Sequence, residues 1–164
     1  MERHKATIGV FGIPQNKEGK GLWSQRADGK GINAIGGQVD PEDANNRKTL
    51  FETLQREFQE EANVKIRLVE ERPIGVFPTP NLQDFAILLN VEMIAGEPQP
   101  SGEVIQHVWM GPEEIIRATK KYDKGDIANG LLGGTGNRQW QMAKAFFLYC
   151  SNNPEYRKTA QERM

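Results

Sequence analysis

Residues 36–64 read GGQVDPEDANNRKTLFETLQREFQEEANV, and this stretch decides the fold class of the 164-residue chain. Its second half predicts a helix over residues 49–62, because apolar residues recur there at helical spacing. Thr49 and Glu52 have the spacing of a capping box at its start. Asn63 tolerates the left-handed conformation in which many helices end. The first half, residues 40–48, is polar without an apolar period and predicts an irregular connector.

Three carboxylates of this helix, those of Glu57, Glu60 and Glu61, fall within an arc of roughly 100° beside its apolar stripe. Like charges this close repel one another, and partial burial increases the cost. A divalent cation relieves that repulsion, and Mg²⁺ prefers oxygen ligands while sharing a substrate phosphate. A solvated acidic face is the alternative. Arg56, which can pair with carboxylates four residues away, and the tight backbone bend at Gly36–Gly37 favour the metal site.

The chain shows no internal repeat and no linker, so its predicted strands and helices indicate one α+β domain over residues 1–164. The predicted strands are 6–13, 22–26, 32–39 with a break at Gly36–Gly37, 64–69, 74–77, 85–94 and Val104–Met110. Two further helices are predicted at 112–121 and 139–151. We expect the first two strands to pair as a hairpin and 85–94 to be a central strand. We also expect a glycine-rich surface loop at 125–136 and a frayed tail after Pro154.

The composition is typical of a folded globular protein, with 37% hydrophobic residues, 26% charged residues and a net charge of -1. This balance gives no basic field for nucleic acid, so no nucleic-acid partner is expected. The single cysteine, Cys150, excludes an internal disulfide and indicates a reducing compartment. No apolar stretch approaches the roughly 18 residues of a membrane span, and the charged start, MERHK, is unlike a secretory signal. We therefore predict no membrane partner and a cytoplasmic location.

The acidic helix and the glycines before it resemble the Nudix box. That pattern runs Gly, five residues, Glu, seven residues, Arg-Glu, an aliphatic or aromatic residue, any residue, Glu-Glu, any residue, Gly and an aliphatic residue. The matching residues are Gly37, Arg56, Glu57, Phe58, Glu60, Glu61 and Val64. The family also places a hairpin before the box, and a strand ending in Trp with a short helix after it, as in VIQHVWMGPEE at 104–114. The resemblance implies a Nudix-type α/β/α sandwich with a mixed central sheet and a catalytic loop-helix-loop.

The chain departs from the box at three places. Five residues are inserted between Gly37 and Arg56. Counting back from Arg56 therefore puts Lys48 at the first Glu position, whereas counting forward from Gly37 puts Asp43 there. Asn63 replaces the closing Gly, and its tolerance of positive φ preserves the bend. Ile35 stands where a Pro precedes the two glycines.

The resemblance implies Mg²⁺-dependent hydrolysis, with Mn²⁺ as an alternative metal, of a pyrophosphate bond in a nucleoside triphosphate or another nucleoside diphosphate derivative. The expected partner is therefore a small-molecule nucleotide. ADP-ribose or a nucleotide sugar is an alternative substrate, to which the position of Pro80 is a weak pointer. A non-catalytic nucleotide-binding module is a further alternative. A homodimer is open, because pairing is frequent among relatives.

The implied site has distinct roles for the box and its surroundings. The metal ligands are Glu57, Glu60 and Glu61. The predicted catalytic residues are Glu57, Glu60, Arg56 and Glu103, with the general base open between a box glutamate and Glu103. The predicted substrate-binding residues are Gly36, Gly37, Arg26, Trp23 and Phe85. Arg56 is expected to orient the carboxylates. Trp23, Phe85 and Trp109 are candidate stacking surfaces for a base, although each also suits the core, and His4 and His107 are too isolated for a metal site.

Overall fold

The computed structural model describes residues 2–29, 31–79, 81–119 and 136–153. The strands are β1 Thr7–Gly12, β2 Gly21–Arg26, β3 Ile32–Asn33, β4 Ile35–Gln38, β5 Lys65–Leu68, β6 Gly75–Pro78, β7 Asp84–Leu89, β8 Val91–Ala95 and β9 Val104–Met110. The helices are α1 Pro41–Asn45, α2 Leu50–Ala62, α3 Pro112–Thr119 and α4 Gly136–Asn152. Pro80, most of the predicted glycine-rich loop at 125–136 and the tail after Pro154 lie outside the described residues. Within the described ranges, no helix has both the length and the apolar character that crossing a membrane requires.

A mixed sheet forms the centre of the fold, as predicted. Its strand order is β4-β1-β7-β6, and β1 runs parallel to β7 but antiparallel to β4. A second sheet has the order β3-β2-β9, and β5 pairs with β8. Helix α4 lies far along the sequence from every strand except β9. The fold therefore depends on pairing and packing between distant parts of the chain.

Two apolar clusters lie on opposite sides of the sheet strands. Side chains alternate between the faces of a strand, and accordingly Val10 and Leu22 pack with α2 whereas Trp23 packs with α4. The α2 cluster contains Leu54 and Phe58, both fully buried. The α/β/α layering predicted from the resemblance is therefore confirmed.

Helix α2 begins and ends as predicted. The Thr49 side chain accepts a hydrogen bond from the Glu52 N–H at 3.1 Å, and the Glu52 carboxylate accepts one from the Thr49 N–H at 3.4 Å. This reciprocal pair satisfies two backbone donors that the helix leaves free. At the other end Asn63 has φ 56°, the left-handed conformation for which it is suited.

The predicted hairpin between the first two strands is wrong. The chain does reverse, with a bridge between Gln15 and Gly21, but β1 and β2 then join different sheets. β1 pairs with β4 and β7, whereas β2 pairs with β3 and β9. Pro14 lies at the divergence and has no N–H to donate to a ladder.

Three other boundaries differ from the prediction. The break in residues 32–39 falls at Ala34, and Gly36–Gly37 instead lie inside β4. Residues 85–94 form two strands, because the chain leaves the mixed sheet at the buried Asn90 and continues as β8 beside β5. The expected irregular connector at 40–48 contains the short helix α1, which begins with Pro41 after an Asp40 cap.

Candidate active site

A cavity of about 310 Å³ opens where the edge of the mixed sheet meets β2, β9 and two helices. Strands β1, β3, β4 and β7 contribute its floor, α2 contributes carboxylates, and α4 contributes one wall. The residues that line it include Phe11, Arg26, Asn33, Gly36, Gly37, Glu57, Glu61, Asp84, Ala86, Glu103, Arg138, Gln139 and Met142.

Glu57 is held against the backbone of β4. A Cβ atom on Gly37 would lie only 2.9 Å from the Glu57 Oε1 atom, so the absence of a side chain at residue 37 makes room for this carboxylate. Burial raises the pKa of Glu57, and the neighbouring Arg56 guanidinium opposes that rise. The partly desolvated Glu57 carboxylate therefore lies beside the backbone of Gly37, which has no side chain.

Glu61 lies one helical turn after Glu57 and faces the same cavity. Burial is the main reason that its pKa rises to about 8, and the charges of Glu57 and Glu103 add to the rise. Arg26 and a hydrogen bond from the Gly36 backbone N–H act in the opposite direction. Several carboxylates thus lie near one another at this end of the cavity, as expected for a site that binds a cation.

Glu103 and Arg26 enter the cavity from the second sheet. Glu103 is exposed and precedes β9, and its carbonyl accepts a hydrogen bond from the Ala27 N–H at 3.0 Å. The guanidinium of Arg26 donates to the Asp28 carboxylate, with a closest contact of 2.5 Å. The structure therefore brings both predicted residues to the cavity of Glu57 and Glu61.

Glu60 is not brought to the cavity. Its side chain is 63% exposed, and its carboxylate lies 3.9 Å from the Arg56 Nε atom on the outer side of α2. Among the described residues, no three His, Cys, Asp or Glu side chains are already gathered closely enough to hold a metal ion. Two of the three predicted metal ligands converge in this conformation, together with Glu103.

Arg56 orients the acidic helix through a carboxylate in the inserted segment. The Asp43 side chain is 1% exposed, and its two oxygens lie 3.1 and 3.2 Å from nitrogens of the Arg56 guanidinium. The same guanidinium donates to Glu57 Oε1 at 3.2 Å. Asp43 also accepts from the Asp40 N–H, which fixes α1. Asp43, the residue found by counting forward from Gly37, thus supplies the buried acidic partner of Arg56, and the more exposed Asp40 lies 3.5 Å from the same guanidinium.

The predicted aromatic stacking surfaces do not line the cavity. Trp23 is 0% exposed in the core cluster against α4, so its ring presents no face to a ligand. Phe85 alternates with Asp84 and Ala86, which line the cavity, and therefore lies on the opposite face of β7. Trp109 packs against the α2 cluster. Phe11 is the aromatic residue that the cavity contains instead.

His107, which the sequence indicated is too isolated to be a metal ligand, connects three parts of the site. Its Nε2 atom lies 3.0 Å from the Glu61 carbonyl and 2.9 Å from the Gln99 carbonyl, while Nδ1 lies 3.0 Å from Ser24 Oγ. Because both carbonyls are acceptors, Nε2 donates. His107 thereby ties the end of α2 to the loop that leads to Glu103.

Several cavity residues were missed by the sequence analysis. Gln139 on α4 accepts a hydrogen bond from the Ala34 N–H at 2.7 Å, and Arg138 pairs with Asp84 at 2.6 Å. Asn33 precedes the glycines by only a few residues. The position of Asn33 in a predicted strand next to the glycines was the only local sign that it belongs to the site. The residues of α4 lie more than a hundred positions later in the chain, so no local pattern predicted their approach.

A family model for the NUDIX domain matches residues 4–129 of the chain. The chain belongs to the Nudix family. Its acidic helix, its mixed sheet and the glycine-backed Glu57 agree with that membership, and the predicted enzyme class, a Nudix pyrophosphohydrolase, is confirmed. A comparison with curated proteins gave no match.

Solved Nudix structures share this fold. A Nudix hydrolase from Nitrosomonas europaea aligns with a TM-score of 0.57 and 23% identity over 69% of this chain and 61% of that chain. An ADP-ribose pyrophosphatase from Streptococcus suis aligns with a TM-score of 0.58 and 15% identity over 85% and 90%. An Ap4A hydrolase from C. elegans aligns with a TM-score of 0.62 and 14% identity over 88% and 98%. At these identities the likeness concerns the fold.

Nudix hydrolases generally use divalent metal ions, and the cavity suits such an ion. The donors that converge are carboxylate oxygens, which hard divalent cations prefer. The space that a Cβ on Gly37 would fill holds the Glu57 carboxylate against the backbone. Glu61 lies partly buried in the same cavity, with its pKa raised. The residues present therefore fit a divalent cation at the α2 end of the cavity.

Proposed function

We propose that this Nudix enzyme hydrolyses the pyrophosphate bond of a nucleoside triphosphate or another nucleoside diphosphate derivative, with Mg²⁺ as its metal and Mn²⁺ as a substitute. One observation carries the proposal: the carboxylates of Glu57 and Glu61 face a single cavity beside the backbone of Gly36–Gly37. Carboxylates four residues apart on a helix lie on one side of it. A divalent cation held by these carboxylates would also bind the pyrophosphate of the substrate.

The box glutamates are the metal ligands in this proposal. Glu57 and Glu61 would hold the ion, and the exposed Glu60 is the remaining candidate ligand. When bound, a divalent cation neutralises charge on the pyrophosphate and lowers the pKa of a water for attack on phosphorus. Arg56 holds the Glu57 carboxylate in place through its 3.2 Å hydrogen bond.

Glu103 is the favoured general base, and a box glutamate is its alternative. Glu103 lines the same cavity as Glu57 and Glu61, on a loop tied to β2 by the Ala27 hydrogen bond. From this cavity its carboxylate could accept a proton from an attacking water, as a general base does. Arg26 lies beside it, where its guanidinium can contact a phosphate oxygen.

A phosphate-release screen with and without Mg²⁺ tests the proposal. The panel contains nucleoside triphosphates, ADP-ribose, nucleotide sugars and dinucleoside polyphosphates; inorganic pyrophosphatase is added for the triphosphates, and a phosphatase is added for the compounds that have no terminal phosphate. We expect Mg²⁺-dependent turnover of at least one member, and little turnover by a Glu61→Gln protein of unchanged thermal stability. If no compound turns over but a nucleotide raises the melting temperature, the chain is a nucleotide-binding module instead.

The wider setting of the enzyme stays a prediction. The sequence and the resemblance predict one domain over residues 1–164, a small-molecule nucleotide partner and a cytoplasmic location, and they leave a homodimer open. Size-exclusion chromatography with light scattering checks the homodimer.

A further inference from the structure

The C-terminal end of α2 obtains hydrogen-bond donors from outside the helix. An α-helix leaves its last carbonyl groups without partners of its own. The N–H groups of Asn63 and Val64 bond back to earlier carbonyls of α2, whereas the carbonyls of Glu61 and Ala62 accept from another part of the chain. Glu61 is a proposed metal ligand, so the group that fixes its backbone also fixes the origin of that ligand.

Both outside donors belong to β9 and to the connecting segment, residues 96–103, that joins β8 to β9. His107 on β9 directs Nε2 at the Glu61 carbonyl, at 3.0 Å, and at the Gln99 carbonyl, at 2.9 Å. The Gln99 N–H donates in turn to the Ala62 carbonyl at 2.9 Å. One ring hydrogen, shared in a three-centre bond, therefore links the acidic helix to the connecting segment.

His107 is itself held from the other side by β2. Nε2 carries the ring hydrogen because both of its partners are acceptors, so Nδ1 of the neutral ring accepts from the Ser24 hydroxyl at 3.0 Å. Ser24 is buried and lines the cavity, whereas His107 does not line it. His107 can therefore act on the reaction only through the groups that it holds.

Glu103 stands at the end of the connecting segment, in a short turn. Ser101 and Val104 exchange two backbone hydrogen bonds, of 3.1 and 3.3 Å, around it. Only a few residues separate this turn from Gln99, so the position of Gln99 limits that of Glu103. The charge of Glu103 adds to the rise in the pKa of Glu61, which shows that the two carboxylates lie close enough to interact.

The start of the connecting segment also packs closely on the end of α2. Gly96 has φ 97°, a conformation that favours glycine. A Cβ atom at this position would lie 2.5 Å from the Asn63 carbonyl oxygen. A side chain at residue 96 would therefore push the connecting segment away from α2.

We propose that His107 is a positioning residue of the hydrolytic reaction, which couples the connecting segment to the end of α2 and so sets the place of Glu103 relative to Glu61. The inference rests on the proposed function, in which Glu61 is a metal ligand and Glu103 is the general base. A base must lie within hydrogen-bond reach of the water that it deprotonates. A displacement of about 1 Å lowers a rate by up to about 100-fold.

The first test compares two variants of His107. His107→Phe keeps an aromatic ring in β9 but removes its hydrogen bonds, whereas His107→Gln keeps a side-chain N–H that can reach the same carbonyls. We expect kcat of His107→Phe to fall by about 10- to 100-fold while KM changes by less than about 3-fold, because the base acts on water rather than on substrate binding. His107→Gln should recover most of the lost kcat.

A double-mutant cycle separates positioning from general damage. In a Glu103→Gln protein the base is already lost, so adding His107→Phe should lower kcat by less than about a further 3-fold. Gln106→Ala is the matched control, since it removes another side-chain hydrogen bond between β9 and β2, the 2.7 Å bond to Gln25. Gln106 is exposed, and this variant should keep both kcat and KM.

Residue-resolved hydrogen exchange, measured by NMR on the full chain without nucleotide, tests the coupling independently of activity. In His107→Phe the Gln99 N–H should exchange about 10-fold faster, the factor for about one lost hydrogen bond. The Ile74 N–H, which bonds to the Leu88 carbonyl in the mixed sheet, should be unchanged. If His107→Phe does not fold, Gly96→Ala displaces the same segment and should raise exchange at Gln99 and lower kcat in the same way.

Three results would overturn the inference: wild-type kcat in the folded variant, a loss of kcat that persists in full in the Glu103→Gln protein, or unchanged exchange at Gln99. Any of them in a chain that hydrolyses nucleotides refutes the positioning role alone. If the wild-type chain hydrolyses nothing, the proposed function fails and the positioning role fails with it. Exchange at Gln99 then still decides whether His107 couples the connecting segment to α2.

Discussion

The Asp43–Arg56 pair gives the sharpest prediction about the inserted segment. Replacing Asp43 by Ala leaves the Arg56 guanidinium without its buried partner and removes the cap hydrogen bond of α1. Breaking a buried ion pair costs roughly 3–5 kcal/mol. Arg56 is 29% exposed, so water recovers part of that cost, and we expect a loss of about 2–3 kcal/mol in the free energy of unfolding. For a domain of this size the melting temperature should fall by about 4–12 °C.

Activity should fall as well, because Arg56 also holds Glu57. Urea unfolding gives the stability, and steady-state hydrolysis of the best substrate from the screen gives kcat. Glu42→Ala is the matched control, since Glu42 is the exposed neighbour on the same short helix and should change stability by less than about 0.5 kcal/mol. If Asp43→Ala and Glu42→Ala are equally stable, the insertion does not anchor the acidic helix.

Three further outcomes are expected. Gly37→Ala should reduce kcat by about 10-fold or more, because the new Cβ would displace the Glu57 carboxylate, whereas Gly111→Ala, with ordinary contacts, should keep kcat. His107→Ala should destabilise the fold by about 2 kcal/mol in urea unfolding by removing the hydrogen bonds between α2 and the loop before β9, whereas His4→Ala, at an exposed contact, should have little effect. Chelation by EDTA should abolish hydrolysis, and added Mg²⁺ or Mn²⁺ should restore it; full activity in EDTA would exclude metal dependence.

Local chemistry made α2 predictable. Its caps and its apolar period involve residues within one or two turns of each other, so the sequence carries both signals without reference to the rest of the fold. The sequence predicted that the bare backbone at Gly36–Gly37 favours a site for charged groups. In the structure the Glu57 carboxylate lies against Gly37.

Strand pairing was less predictable because it depends on distant partners. The run at 85–94 is apolar except for Asn90 and Glu92, and its periodicity does not mark the point where it changes sheets. That point is Asn90, whose side chain donates to the Tyr149 hydroxyl on α4 at 3.0 Å. The hairpin prediction failed for the same reason, since β1 found its parallel partner β7 more than seventy residues away.

The α4 wall of the cavity shows which part of the site the sequence could not predict. Arg138 follows a glycine-rich stretch and begins no recognisable motif, and only the docking of α4 brings it to Asp84. Glu60 is the reverse case, because its position in the box made it a predicted ligand, whereas the helix turns its side chain toward solvent and Arg56. Which carboxylates converge depends on the rotation of α2 against the sheet.

The most direct test of the central claim is the Mg²⁺-dependent hydrolysis rate of Glu57→Gln and Glu61→Gln proteins. Both side chains face the cavity, and replacing either carboxylate by a neutral amide removes a proposed metal ligand without changing its shape. We predict that kcat falls by more than about 100-fold in each protein while the melting temperature is maintained or rises. Rates within about twofold of wild type would show that these carboxylates do not hold the catalytic metal and would contradict the account.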